Sequence, residues 1–148
     1  NRPVVIIGSE NLLRSQMKFL KYSVKIKKIN ILDLKKRNLN KKQINIINVE
    51  YKFKKVFDKI SNTSNKYINN CFKIALKLLN KKLAFALING PISKENFLEK
   101  KYLGITEYLA SKTKIKDPTM LIYNKNFAVC PITTHLPINQ VCKKLKKK

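Results

Sequence analysis

A single histidine in 148 residues cannot complete a zinc-finger ligand set, and no C-x-x-C pair stands beside it. Cysteine is sparse as well. Cys71, Cys130 and Cys142 are widely spaced and odd in number, which makes a cytoplasmic, reducing location the simplest reading. Cys71 and Cys130 lie in apolar stretches and read as small core residues. No apolar run approaches the roughly 20 residues that cross a bilayer, so no membrane partner is expected. The opening Asn1-Arg2-Pro3-Val4-Val5-Ile6-Ile7 has no initiator Met and turns polar too soon for a secretory signal.

Acidic residues are few, 8 against 33 lysines and arginines, and the net charge of +25 invites a nucleic-acid reading. Arginine is scarce, however, and lysine is spread along nearly the whole chain beside abundant Asn and Ile and little Gly or Ala. A surface selected to grip phosphates gathers its charge and uses Arg for bidentate contacts. The dispersed lysines instead match what an A+T-biased genome writes at permissive surface positions, with weak, salt-sensitive RNA binding as a side effect and no specific nucleic-acid partner. A basic nucleic-acid-binding protein stays as a rival, carried by Tyr51, Phe53 and Phe57 among Lys52, Lys54 and Lys55. That stretch reads equally well as an ordinary amphipathic segment.

What is present is an α/β pattern. Val4 to Ile7 is an apolar run ending at Gly8, which predicts a buried parallel strand and a turn. Ser9 offers an N-cap, Glu10 suits the first helical turn, and Leu12, Leu13, Met17 and Leu20 predict a helix over 10–21. Ile29 to Leu32 and Ile44 to Val49 read as strands around a polar loop, Lys35 to Lys42. Beyond the turn cluster Ser61 to Ser64, the residues Tyr67, Ile68, Cys71, Ile74, Ala75, Leu78 and Leu79 trace one helical face. Phe85 to Ile88 reads as a buried strand, and Ser93 as the cap of a short helix through Leu98. Thr106 is a further candidate cap. Met120 to Tyr123 and Phe127 to Ile132 read as a hairpin turning at Asn124-Lys125-Asn126, and Pro137 opens a last helix with Val141 and Leu145 as its apolar contacts. Only Lys143 to Lys148 is low in complexity. One partial α/β region over residues 1–148, with a mainly parallel sheet and one antiparallel hairpin, is the expectation.

Three loops carry candidate chemistry: Asn89-Gly90-Pro91-Ile92-Ser93-Lys94, Gly104-Ile105-Thr106-Glu107 and Thr133-Thr134-His135-Leu136-Pro137. Ligands of open α/β sheets bind beyond the carboxyl ends of the strands, and helix amino ends favour anions such as phosphate. A neutral imidazole at His135 is a candidate metal ligand. Taken singly, Gly-Pro is usually a turn, a Thr at a helix start usually a cap, and a lone His usually structural.

Their order is more specific. Asn89 to Lys94 matches a (T/N)-(A/G)-P-I-x-K loop, Gly104 to Ala110 matches G-H-T-E-x-L-A except at its second position, and Met120-Leu121-Ile122 stands where an M-x-L strand is found, with Ile in the last place. Val129 to Ile138 matches V-x-(L/P)-x-T-T-H-(L/I)-P-L up to Ile138 in the last place. Over Ala84 to Val141 the chain resembles the 4-hydroxythreonine-4-phosphate dehydrogenase family of pyridoxal phosphate biosynthesis, with a looser fit before that. The resemblance implies a three-layer α/β/α fold like the isocitrate and isopropylmalate dehydrogenases, and a homodimer in the complete enzyme. It implies NAD as cofactor, a small phosphorylated substrate, and a divalent metal (zinc, cobalt or magnesium) shared between subunits and held by three His, of which His135 matches one. It also implies substrate contact at Thr106.

Two departures shape the expectation. Ile105 stands where the family has a substrate-binding His, which removes a polar partner and predicts weak or altered substrate use. A family relative acting on a different hydroxy acid is therefore the nearer alternative. The family's Gly- and Pro-rich opening motif and its second half, with two further His ligands and most of the NAD site, have no counterpart in the 148 residues. As given, the sequence is expected to be inactive alone, as a piece of a longer chain or the product of a decayed gene.

Overall fold

The structure, a computed structural model, describes residues 3–35 and 39–145. Part of the expected loop Lys35 to Lys42 and of the lysine run Lys143 to Lys148 lies outside the described residues, as do Asn1 and Arg2. The chain divides into two compact units, Asn1–Pro91 and Ile92–Lys148.

In the first unit, β1 (Val5–Gly8), β2 (Ile26–Lys28) and β3 (Ile44–Asn48) form a parallel sheet in the order β1-β3-β2. The register sets Ile6 opposite Ile46 and Lys27 opposite Asn45. Parallel strands need crossovers, which here carry helices α1 (Glu10–Phe19) and α2 (Ile31–Lys35). Helix α3 (Asn65–Asn80) follows β3, after a 3-10 turn at Asn62–Ser64 built from the predicted Ser/Thr cluster. Its buried Ala75 and Leu78 belong to the face expected from the sequence, and buried Phe72 adds to it. Ile29, Leu34, Ile47 and Leu78 form the core, with Val5, Ile7 and Ile74 packed against it. Each such side chain, fully buried, contributes roughly 1.5–3 kcal/mol.

Two expected strands are not strands. The apolar run Ile29 to Leu32 predicts a strand, yet β2 ends at Lys28 and α2 starts at Ile31. Asn30 is the cause: its Oδ1 accepts from the N–H groups of Leu32 (2.8 Å) and Asp33 (3.0 Å), while Asp33 Oδ2 accepts from Asn30 N–H (2.8 Å). This reciprocal pair caps a helix in the manner of a capping box. Among the described residues Phe85 to Ile88 joins no sheet, and Phe85 and Ile88 are 82% and 89% exposed.

The second unit holds α4 (Ile105–Thr113), the antiparallel pair β4 (Ile122–Asn124) and β5 (Phe127–Val129), and α5 (Ile138–Lys144). Ile122 faces Val129 and Asn124 faces Phe127, with Asn124 Oδ1 accepting from Asn126 N–H across the turn (3.1 Å). The buried residues here are Phe97, Leu98, Tyr108 and Ala110. Ser93 begins a turn rather than a helix: its Oγ accepts from Asn96 N–H (3.2 Å) and its carbonyl from Phe97 N–H (3.0 Å). Pro137 caps α5 as expected, with Val141 half-buried but Leu145 about half exposed. Cys71 is half-buried, whereas Cys130 is exposed and is no core residue.

Candidate functional site

At the carboxyl ends of β1 and β3 the chain gathers a polar cluster. Gly8 ends β1 and Ser9 caps α1, its Oγ accepting from Leu12 N–H (3.3 Å). Two remote side chains complete this turn. Asn48, the last residue of β3, accepts at Oδ1 from Glu10 N–H (2.8 Å), and the Tyr67 hydroxyl of α3 accepts from Ser9 N–H (2.9 Å). Asn48 Nδ2 donates in turn to Glu50. Sequence reasoning counted Tyr67 as an apolar-face residue and passed over Asn48. Their partners lie 58 and 38 positions away, so no local signal marks them.

Burial pushes the Tyr67 hydroxyl up to about 12, opposed by the hydrogen bond from Ser9 and reinforced by Cys71 and Tyr51. The Tyr51 ring stacks on it at 4.6 Å. Burial also raises the Cys71 thiol, with the Tyr67 hydrogen bond pulling the other way. A raised thiol is a poor nucleophile, so this cluster holds structure. The α1 amino end, its N–H groups served by Ser9 and Asn48, is closed to an added anion at those donors.

In the second unit, α4 presents the predicted substrate residues. Gly104 is the N-cap with no side-chain bond, so Thr106 is the second helical residue and not the cap. Ile105 and Thr106 are both half-buried. A Cβ on Gly104 would meet Glu107 Oε2 at 3.0 Å, which shows the carboxylate folded against the helix start. There it complements the helix dipole and opposes an incoming anion. Behind this turn Tyr108 is buried, edge-on to Phe97 (5.2 Å) and Tyr102 (5.5 Å), with Lys112 Nζ 5.4 Å from its ring centre. Burial, and then the neighbouring Tyr102, raises the Tyr108 hydroxyl.

His135 lies in the segment between β5 and α5, exposed, with a φ of 55°. That left-handed conformation is uncommon for a residue with a Cβ. The Asn89 to Lys94 loop runs across the boundary of the two units, with Asn89 Nδ2 donating to Gly90 O (3.0 Å). Among the described residues no three His, Cys, Asp or Glu side chains come together. The described residues by themselves thus do not supply the roughly three protein ligands that a catalytic metal needs. No helix of the described residues is long and apolar enough to cross a membrane.

A family model described as pyridoxal phosphate biosynthetic protein PdxA matches residues 1–148. The 4-hydroxythreonine-4-phosphate dehydrogenase of Sulfurihydrogenibium sp. (strain YO3AOP1) is 32% identical over 150 residues, covering 99% of this chain and 45% of that protein. The enzyme of the same name from Wigglesworthia glossinidia brevipalpis is 32% identical over 88 residues, 57% of this chain and 26% of its own. The chain therefore spans less than half the length of these curated relatives. Among solved structures, a 4-hydroxythreonine-4-phosphate dehydrogenase from Burkholderia phymatum superposes with a TM-score of 0.80 at 23% identity, covering 98% of this chain and 44% of that one. The enzyme from Klebsiella pneumoniae gives a TM-score of 0.79 at 23% identity, over 97% and 44%. These likenesses show the fold.

Proposed function

This chain belongs to the family of the pyridoxal phosphate biosynthetic protein PdxA, and on that premise we propose that the protein oxidises 4-hydroxy-L-threonine phosphate with NAD. Loss of carbon dioxide then yields 3-amino-2-oxopropyl phosphate. The observation that carries this reading is the family match over residues 1–148, which takes in all of the motif-bearing loops.

Within that reading, Thr106 contacts substrate from the first turn of α4, supported by its half-buried place beside the Gly104 cap. His135 is one ligand of a divalent metal (zinc, cobalt or magnesium), and residues outside this chain complete the set, since the described residues offer no cluster of their own. No residue here is assigned to NAD. The reading extends to a homodimer, a cytoplasmic location and the three-layer fold of the isocitrate and isopropylmalate dehydrogenases, with residues 1–148 as one partial region. The mixed α/β architecture and its parallel sheet support that fold.

A different phosphorylated or hydroxy-acid substrate is the second reading, favoured by Ile105 at the first position of α4. An apolar side chain cannot replace a hydrogen-bonding His toward a polar substrate. The test is to supply the whole natural gene that includes these residues to a bacterium that lacks 4-hydroxythreonine-4-phosphate dehydrogenase. Growth without added pyridoxine is the expected result. No growth despite soluble, folded protein would overturn the proposal, and turnover of another hydroxy acid by the purified product would favour the second reading.

A further inference from the structure

The aromatic and basic segment 51–57 is the one sequence feature that the dehydrogenase reading does not absorb, and the first unit resolves it into two parts. Tyr51 is committed inward, stacked on Tyr67 (4.6 Å) and Phe53 (6.5 Å). Phe57 is committed outward. Its ring meets that of Phe19, at the end of α1, edge-on at 5.3 Å, yet the two residues remain 52% and 68% exposed. Gln16 Nε2 donates to Val56 O (3.4 Å), which ties the segment to α1 beside this pair.

We propose that this surface binds single-stranded RNA without sequence preference, with bases stacking on Phe19 and Phe57 and neighbouring lysines holding phosphates. Exposed Lys18 and Lys21 flank Phe19, and exposed Lys54, Lys55 and Lys59 flank Phe57, while Asp58 is the one acid of residues 51–60. Asp58 is turned to the adjoining backbone, its Oδ1 accepting from Lys59 N–H (2.8 Å). With 33 basic residues against 8 acidic ones, the chain has too few acids to pair most of its lysines. Exposed Tyr22 extends the aromatic surface on the α1 side. A single strand is the occupant that uses both features, because its phosphates answer the lysines and every base has a flat face for a ring. An acidic peptide answers the charge and leaves the rings in water. Scattered lysine charge alone predicts binding that ignores Phe19 and Phe57. This inference stands apart from the dehydrogenase reading.

The test is fluorescence anisotropy of a labelled oligouridylate of about 12 nucleotides, a length in the range that such surfaces cover, titrated with the purified protein across a salt series. The double variant Phe19→Ser/Phe57→Ser should bind about tenfold more weakly or worse. Its salt slope should be unchanged, because no charge is removed. Both rings are surface residues, and unfolding curves check that the variant keeps its fold. As a second measurement on the unaltered protein, photo-cross-links from a 5-iodouracil oligonucleotide should map to Phe19, Tyr22 or Phe57. Equal affinity of the variant, equal competition by inorganic polyphosphate, or cross-links spread over both units would overturn the proposal. So would ring-dependent binding to an acidic peptide or anionic vesicles with none to the oligonucleotide.

Discussion

The Tyr67 hydroxyl accepts a hydrogen bond from the Ser9 N–H at 2.9 Å, fastening α3 to the turn between β1 and α1. Ser9 is 4% exposed, so its N–H has no ready access to water as a substitute. Replacing Tyr67 with Phe should leave that donor unpaired and destabilise the protein by roughly 1–2 kcal/mol, read from urea unfolding. No measurable change would mean that water replaces the hydroxyl.

The same hydroxyl makes the fold sensitive to alkali. Its proton is held to about pH 12 in the folded protein against an ordinary 10.0. The unfolded chain therefore ionises first as pH rises, and it gains stability relative to the fold. The contribution of Tyr67 is intact below pH 10 and should be lost between about 10 and 12. Unfolding measured across that window should show a steeper loss in the natural protein than in Tyr67→Phe, and parallel curves would sink the assignment.

Gly8 is constrained by the same contact. A Cβ added there would stand 3.0 Å from Tyr67 Oη, which would have to move and strain its bond to Ser9. Gly8→Ala should destabilise by about 1–3 kcal/mol. In the Tyr67→Phe background the penalty should shrink, because the clashing oxygen is gone. A double-mutant cycle measures that coupling, and strict additivity would contradict it.

Leu78 is 3% exposed in the core of the first unit, whereas Leu32 is 63% exposed. Leu78→Ala should destabilise by about 2–5 kcal/mol, and Leu32→Ala should stay within about 0.5 kcal/mol. Thermal unfolding of both variants checks the contrast, and comparable losses would mean that the core is not where the packing places it.

Ile105→His tests the departure from the family motif. In the active protein it should raise kcat/KM for 4-hydroxythreonine phosphate by at least about tenfold, since a matched polar contact is worth that much or more. An unchanged rate and KM would show that Ile105 is not at the substrate.

The sequence by itself determined the locally coded elements. Ser9 and the spacing of Leu12, Leu13 and Met17 mark α1, and the apolar face from Ile68 to Leu79 marks α3, because capping and helical periodicity act within a few residues. The motifs around Asn89, Gly104 and His135 were likewise legible as an ordered set, and the family match covers them. The Asn30–Asp33 cap went unread, because the apolar run Ile29 to Leu32 pointed to a strand. Only the tertiary structure decided whether an apolar run becomes a strand. Ile44–Asn48 pairs with a strand on either side, whereas the apolar run Phe85 to Ile88 joins no sheet among the described residues. A strand exists only through hydrogen bonds to chain remote in sequence, and pattern alone does not say which runs will find a partner. Tyr67 reaching Ser9 and Asn48 reaching Glu10 depend on the same thing, since those contacts form only once the sheet and α3 have packed.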